Sequence, residues 1–260
     1  MKLENQVAAV RAQSGQKMNK KKKISSVGKP FVTVCTPTYN RRAFIPALIQ
    51  CFEAQTYPRE LLEWVVVDDG SDPVGDLFEG VKGVEYYRSE ERMTLGFKRN
   101  FMHSKASGEI LVYMDDDDYY PPDRVLHAVY KLRSNANIML AGSSKMHIYF
   151  KDLDKIYQFG PYGPNHATAA TFAFKKELLS LTSFDDNALV AEERFFLKDF
   201  TIPMIQLESK KTILVFAHSQ NTFDKRRLLV NPGSKYVRET KFSPSVFIKN
   251  KKLCDFYTRQ

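Results

Sequence analysis

The sequence predicts an α/β fold, a single domain in which a central, mostly parallel sheet is flanked by helices. Three observations lead there. Short apolar runs of strand character alternate with segments whose apolar residues recur at helical spacing. Acidic loops stand directly after two of those runs, where ligands bind in open α/β sheets. And 260 residues with 43% hydrophobic and 27% charged side chains suffice for one well-buried core without the bias of a disordered chain.

Residues 1–29 are polar and lysine-rich and read as a tail. The fold begins at Phe31-Val32-Thr33-Val34-Cys35, a first strand, with Thr36-Pro37-Thr38-Tyr39-Asn40 as a loop at its carboxyl end. A helix follows through Phe44, Ile45, Leu48, Ile49 and Phe52. Leu62 to Val67 is a second strand, halted by Asp68-Asp69-Gly70-Ser71-Asp72-Pro73, and Val84 to Arg88 a short third. A helix opens at Lys98-Arg99-Asn100-Phe101-Met102 and closes at Gly108. Ile110 to Met114 is the next strand; Asp115-Asp116-Asp117-Asp118 ends it, and two prolines and Asp123 start a helix through Val125, Leu126, Val129 and Leu132.

The second half is less regular. Ile138 to Ser143 and Met146 to Phe150 read as strands, Phe159 to Pro164 as a loop and Thr168 to Phe174 as a short β-prone stretch. Helices are expected at Lys175 to Leu181 and Ala191 to Phe200, the latter with Phe195 and Phe196 on its apolar side, and a strand at Lys211 to Ala217. From Lys225 onward the chain is basic, with Pro232 and Gly233, and irregular structure or a short helix is expected. The expected division is a tail at 1–29, a catalytic domain at 30–224 and a basic extension at 225–260 that packs on or closes over the site.

No apolar run approaches the ~18 residues a membrane span needs. The net charge of +9 gathers at the ends, in Lys20 to Lys23, Lys225 to Arg227 and Lys249 to Lys252. Such runs could touch an anionic membrane surface, but no aromatic residues interleave with them as nucleic-acid binding needs, so no nucleic-acid partner is expected. Cys35, Cys51 and Cys254 form neither a metal spacing nor a disulfide framework, which points to a reducing, cytoplasmic compartment.

Four adjacent carboxylates repel one another, and a divalent cation shared with substrate phosphates relieves that repulsion. The alternative is a solvated acidic loop that caps a helix. Asp68-Asp69, read alone, is turn chemistry; beside a metal loop it becomes half of a nucleoside-diphosphate site. No Walker-type loop and no GxGxxG follows the first strand, so the phosphate charge would be met by metal and by Lys or Arg.

VTVCTPTYNRR, VVVDDGSD, LGFKRN and GEILVYMDDDDYYPPDRV, in that order, resemble a family 2 glycosyltransferase of the GT-A fold; AEERFFLKDF resembles its acidic catalytic motif and HSQNTF its late histidine. The resemblance spans residues 31 to 224 and implies an inverting, Mn²⁺- or Mg²⁺-dependent transfer from a nucleotide sugar, with a UDP-sugar favoured, to a glycan, lipid-linked or protein acceptor. It implies that Thr36, Tyr39, Asp68 and Asp69 line the nucleobase pocket, with Lys98 and Arg99 near the nucleotide or else in a solvated helical turn. Asp115 would face the ribose, with Asp116 beside it. Asp117 would hold the metal together with Asp115 and His218, in a register open by one residue. The family's usual Glu-Asp pair is Glu192-Glu193 here: Glu193 matches the base by position and Glu192 its neighbour, unless both lie on an exposed helix face. His218 is otherwise an ordinary half-buried histidine. His166, Thr168 and Thr171 fall on the acceptor or sugar side, and Lys225 and Arg226 read as a diphosphate clamp or a solvated run. A sugar-nucleotide nucleotidyltransferase and a non-catalytic glycan- or nucleic-acid-binding module are the alternatives. The first usually carries a Gly-rich first loop, and the second has no use for a metal loop.

Overall fold

The computed structural model describes residues 28–218, 221, 224–229 and 234–259. Residues 1–27 of the tail expected over 1–29, with its Lys20 to Lys23 run, most of HSQNTF, and Pro232-Gly233 lie outside the described residues.

In chain order the elements are β1 (Val32–Thr38), α1 (Ile45–Glu53), β2 (Leu62–Asp68), β3 (Val84–Arg88), α2 (Leu95–Lys105), β4 (Ile110–Tyr113) and α3 (Arg124–Arg133). Then come β5 (Leu140–Gly142), β6 (Met146–Phe150), β7 (Lys155–Phe159), β8 (Ala173–Lys175), α4 (Glu193–Phe196), β9 (Met204–Gln206), β10 (Val215–Ala217), β11 (Val237–Glu239) and α5 (Lys251–Arg259). A seven-stranded sheet runs β3-β2-β1-β4-β8-β5-β9, parallel except where β8 opposes β4 and β5. A second, four-stranded sheet runs β10-β6-β7-β11.

β1 and β2 are buried along their whole length because helices cover both sheet faces, as in parallel α/β sheets generally. Strand alternation sends Val32, Val34, Ile110 and Val112 to the side packed by Leu48 and Phe52 of α1, Val129 and Leu132 of α3, and Leu253 and Tyr257 of α5. Cys35, Leu111 and Tyr113 meet Met102 of α2, Phe172, Phe184 and Phe196 on the other side. Thr94 caps α2, its hydroxyl accepting from the Phe97 amide at 3.3 Å. Gly108 is needed where the chain turns from α2 into β4, because a Cβ there would collide with the Thr33 amide and, at 2.7 Å, with its hydroxyl.

Several expected elements change. The helix expected over Ala191 to Phe200 shrinks to α4, because Ala191, Lys198, Asp199 and Phe200 adopt left-handed backbone angles (φ 48° to 63°). Phe196 is buried but Phe195 is 59% exposed, so the two do not share an apolar side. Lys176–Ser180 forms 3₁₀ turns rather than an α-helix, and Ala169–Thr171 is also 3₁₀. The strand expected from Lys211 begins only at Val215, after a 3₁₀ turn at Ser209–Lys211. The basic C-terminal stretch supplies β11, paired with β7, and the amphipathic α5. Among the described residues no helix is long and apolar enough to cross a membrane.

Candidate active site

β1, β2 and β4 run parallel and in register, Thr38 opposite Asp68 and Cys35 opposite Tyr113, so the segments that follow them emerge at one sheet edge. There they border a cavity of about 490 Å³. Its walls include Tyr39, Lys98, Arg99, all four of Asp115 to Asp118, Glu192, Glu193, Thr168 and Lys225.

The two acids after β2 hold the loops. Asp68 is fully buried and accepts from the amides of Gly70 (2.8 Å) and Val74 (2.9 Å) and from the Tyr86 hydroxyl (2.6 Å). Asp69 accepts from Arg92 (2.9 Å), the Met93 amide (2.7 Å) and the Lys98 ammonium. Neither lines the cavity, and nor does Thr36, whose hydroxyl donates to the Met114 carbonyl (2.6 Å) and accepts from the Trp64 indole (2.8 Å). Strand alternation explains Thr36: it faces the same side as Val32 and Val34. Pro37, Thr38 and Tyr39 form the β1 wall instead. Tyr39 is 38% exposed and carries the Arg92 guanidinium 3.4 Å above its ring. Burial pushes the Lys98 ammonium below its ordinary pKa, and its partners are Asp69 and the Thr38 carbonyl, 2.9 Å away. Lys98 and Arg99 are both 3% exposed, not a solvated helical turn.

In the four-Asp loop each carboxylate has a different setting. Asp115 is pushed up by burial, against the pull of Arg99, whose Nη1 lies 3.5 Å away. Asp116 is pushed up to about 7 by burial and by the neighbouring Asp117 charge. Asp117 is partly buried, but the hydrogen bond from His218 (Nε2 to Oδ2, 3.1 Å) and the charges of Lys225 and Arg41 outweigh desolvation and hold it well below the usual carboxylate range. Asn221 donates to the same Asp117 oxygen at 3.2 Å. Asp118 turns away from this group and accepts from the Phe216 amide of β10 at 2.9 Å.

Mn²⁺ or Mg²⁺ characteristically takes one or two carboxylates plus phosphate and water oxygens. Neighbouring ligands of an octahedral ion with ~2.1 Å bonds lie ~3.0 Å apart, and the Asp117–His218 pair is separated by 3.1 Å. The pair fits two adjacent positions of such an ion. Asp115 does not complete the set expected with Asp117 and His218: it faces Arg99, and among the described residues no three His, Cys, Asp or Glu groups converge.

Glu192 and Glu193 both reach the cavity and are not on a solvated face. Glu192 is 5% exposed and accepts from Arg99 Nε at 2.7 Å; the guanidinium in turn lies 4.6 Å over the Tyr113 ring. Among the described residues Glu193 has no ion pair, and its carboxylate has no partner beyond its own amide. Burial, then the adjacent Glu192 charge, raises its pKa. A partner-free carboxylate with a raised pKa can take a proton; one held by a buried guanidinium is a poor acceptor.

Of the three residues expected on the acceptor or sugar side, Thr168 alone lines the cavity, its hydroxyl 3.1 Å from Met146 Sδ. Thr171 is buried, bonded to the Thr168 carbonyl (2.7 Å) and the Ser143 amide (2.9 Å), while His166 stacks on Phe200 at 4.9 Å. Lys225 donates to the Phe216 carbonyl (3.1 Å) at the cavity wall, whereas Arg226 points outward to Asp224 and Asp152. Arg41, Arg92, Asn221 and Leu228 also border the cavity and have no role evident in the sequence. Arg41 and Asn221 could have been suspected, standing inside VTVCTPTYNRR and HSQNTF.

Residues 33–183 match the Glycosyl transferase family 2 model. An uncharacterized glycosyltransferase of Haemophilus influenzae is 28% identical over 109 residues, which cover 42% of this chain and 36% of that protein. A mannosyltransferase from Pyrobaculum calidifontis, solved with GDP-Man and Mn²⁺, superposes with a TM-score of 0.60 at 21% identity over 84% of this chain and 65% of its own. Staphylococcus aureus TarS residues 1–349, solved with UDP-GlcNAc, gives 0.60 at 19% identity over 87% and 66%. At these identities the two structures speak for the fold, which is GT-A. With the family model covering more than half of its length, the chain belongs to glycosyl transferase family 2.

Proposed function

We propose that this chain moves a sugar from a nucleotide-diphosphate donor, a UDP-sugar in first place, to an acceptor hydroxyl on a glycan, lipid-linked or protein substrate, with inversion and with the help of Mn²⁺ or Mg²⁺. The observation that carries this reading is that one cavity is lined both by Asp117, paired with His218, and by Glu193, a carboxylate with no ion pair among the described residues. Asp117 and His218 hold the metal. When bound, it offsets the negative charge that gathers on the departing diphosphate. Arg41 and Lys225 add positive charge on that side. Tyr39 offers a ring face to the base once Arg92 moves aside, and Asp69 and Lys98 keep the wall beneath it rigid. Glu193 takes the proton from the acceptor oxygen as that oxygen attacks the anomeric carbon, and no covalent nucleophile is needed. Glu192, clamped by Arg99, shapes the acceptor side.

Residues 30–224 act as the catalytic domain, and the described part of the extension from 225 packs on it, a reading supported by Lys225 and Leu228 at the cavity wall and by β11 in the second sheet. The free, largely buried thiols accord with a reducing, cytoplasmic compartment. Calorimetric titration with UDP, GDP and ADP, with and without Mn²⁺, followed by hydrolysis of a panel of sugar nucleotides, tests the reading. Metal-dependent binding of one diphosphate and turnover of its sugar conjugate are expected. No diphosphate binding, or binding indifferent to metal, would contradict it.

A further inference from the structure

The C-terminal helix lies beyond the region that matches the family model, yet it touches the four-Asp loop. Tyr257 of α5 is 1% exposed, and its hydroxyl donates to the backbone carbonyl of Asp118 at 2.9 Å. Its ring stacks on Phe216 of β10, with centroids 4.7 Å apart and planes at 22°. Phe216 closes the circuit, since its amide donates to the Asp118 carboxylate at 2.9 Å. One residue further, Tyr119 and Leu214 exchange backbone hydrogen bonds of 3.1 and 3.0 Å, joining the end of the loop to the start of β10. Asp117 immediately precedes this locked residue, and His218 immediately follows β10. A second route runs from the same helix: Phe256 meets Phe44 edge-on at 6.0 Å, and Phe44 packs on the His218 ring at 4.8 Å.

We propose that Tyr257 is a positioning residue for the Asp117–His218 pair: its hydroxyl on the Asp118 carbonyl and its ring on Phe216 set the spacing between the two metal ligands. The proposal rests on the metal reading above. The chemistry is that of a support behind a ligand. A carboxylate and an imidazole carried by different chain segments keep a 3.1 Å separation only if both segments are fixed to a common body, and outer supports of this kind typically change metal affinity by about 10- to 100-fold. The hydroxyl of Tyr257 also lies 3.8 Å from Cys51 Sγ. The neighbouring Thr258 supplies a control, because among the described residues its hydroxyl bonds only carbonyls of α5 itself, Cys254 at 3.0 Å and Asp255 at 3.3 Å.

The test compares Tyr257→Phe, which keeps the ring and removes the donor, with Thr258→Ala in the full chain. Two readouts are taken: amide hydrogen exchange of the peptide spanning Asp115 to Tyr120 without metal, and Mn²⁺ affinity in the presence of UDP from the free-Mn²⁺ spin-resonance signal. In Tyr257→Phe, exchange in that peptide should accelerate while the central strands stay protected, and Mn²⁺ affinity should fall about tenfold. Thr258→Ala should leave both readouts as in wild type. Unchanged exchange and unchanged Mn²⁺ affinity in Tyr257→Phe would overturn the proposal, as would equal acceleration across the whole sheet, which marks general destabilisation. If wild type binds no Mn²⁺ with UDP, the metal reading and this proposal fall together. Failure confined to Tyr257→Phe leaves the metal reading standing.

Discussion

Replacing Arg99 by Met should be among the most damaging single changes in the protein, and the size of the loss can be worked out. The side chain is 3% exposed and holds Glu192, itself 5% exposed, through a 2.7 Å bond, with Asp115 3.5 Å away on its other side. Met fills a similar volume over the Tyr113 ring but leaves two carboxylates facing each other without a counter-charge. Breaking a buried pair by removing one partner costs about 3–5 kcal/mol. Most of that belongs to Glu192, because the Asp115 side chain is 24% exposed and partly screened. In a chain of this size each kcal/mol moves the melting temperature by about 2–4 °C, so a drop of about 6–20 °C is expected. Adding Glu192→Gln to Arg99→Met removes the stranded charge and should restore about 1–3 kcal/mol. Urea unfolding at pH 7 of wild type, both single variants and the double variant measures this. The sign with pH follows from Asp115, whose pKa burial raises. It takes up a proton early as pH falls, so the gap between wild type and Arg99→Met should narrow in acid and be full near neutrality. A loss under ~1 kcal/mol, or a double variant no more stable than Arg99→Met, would refute the clamp.

Two further outcomes follow from the loop and from the basic turn behind it. Asp117→Asn should weaken Mn²⁺-dependent UDP binding at least about tenfold by calorimetry. Asp118→Asn should be milder, since burial already favours its uncharged form and an amide oxygen can still accept from Phe216; the reverse order would shift the metal register by one residue. Lys225→Ala should raise the KM for the donor several-fold, whereas Arg226→Ala, which loses only exposed pairs with Asp224 and Asp152, should leave steady-state constants within error.

The first half of the chain was readable because each element there is long and punctuated. β3 falls on the expected residues, and the four-Asp run does follow a buried strand. The second half hides its elements. β5, β8, β9, β10 and β11 have three residues each, too few for alternation to show. α5 carries Leu253, Phe256 and Tyr257 within a lysine-rich run, so its charge is read before its apolar stripe. Site roles blurred for a related reason. DDGSD reads equally as a turn and as a binding loop; Asp68 and Asp69 hold the loop, a difference that lies in the partner amides of Val74 and Met93. Nor can adjacent glutamates be told apart by spacing: the distinction between Glu192 and Glu193 comes from Arg99, which reaches only one of them.

The central claim is that Glu193 takes the acceptor proton in the cavity it shares with Asp117. Steady-state turnover of Glu193→Gln and Glu192→Gln, beside calorimetric binding of UDP with Mn²⁺ and a pH–rate profile of wild type, tests it most directly. Glu193→Gln should lose about 10²- to 10⁴-fold in kcat with diphosphate affinity unchanged. Glu192→Gln should lose less, mainly in apparent acceptor affinity. Because burial raises the Glu193 pKa, wild-type turnover should fall with acid at a pH above the ordinary glutamate range, and that limb should vanish in Glu193→Gln. Near-normal turnover in Glu193→Gln, with collapse in Glu192→Gln or in neither, would contradict the account.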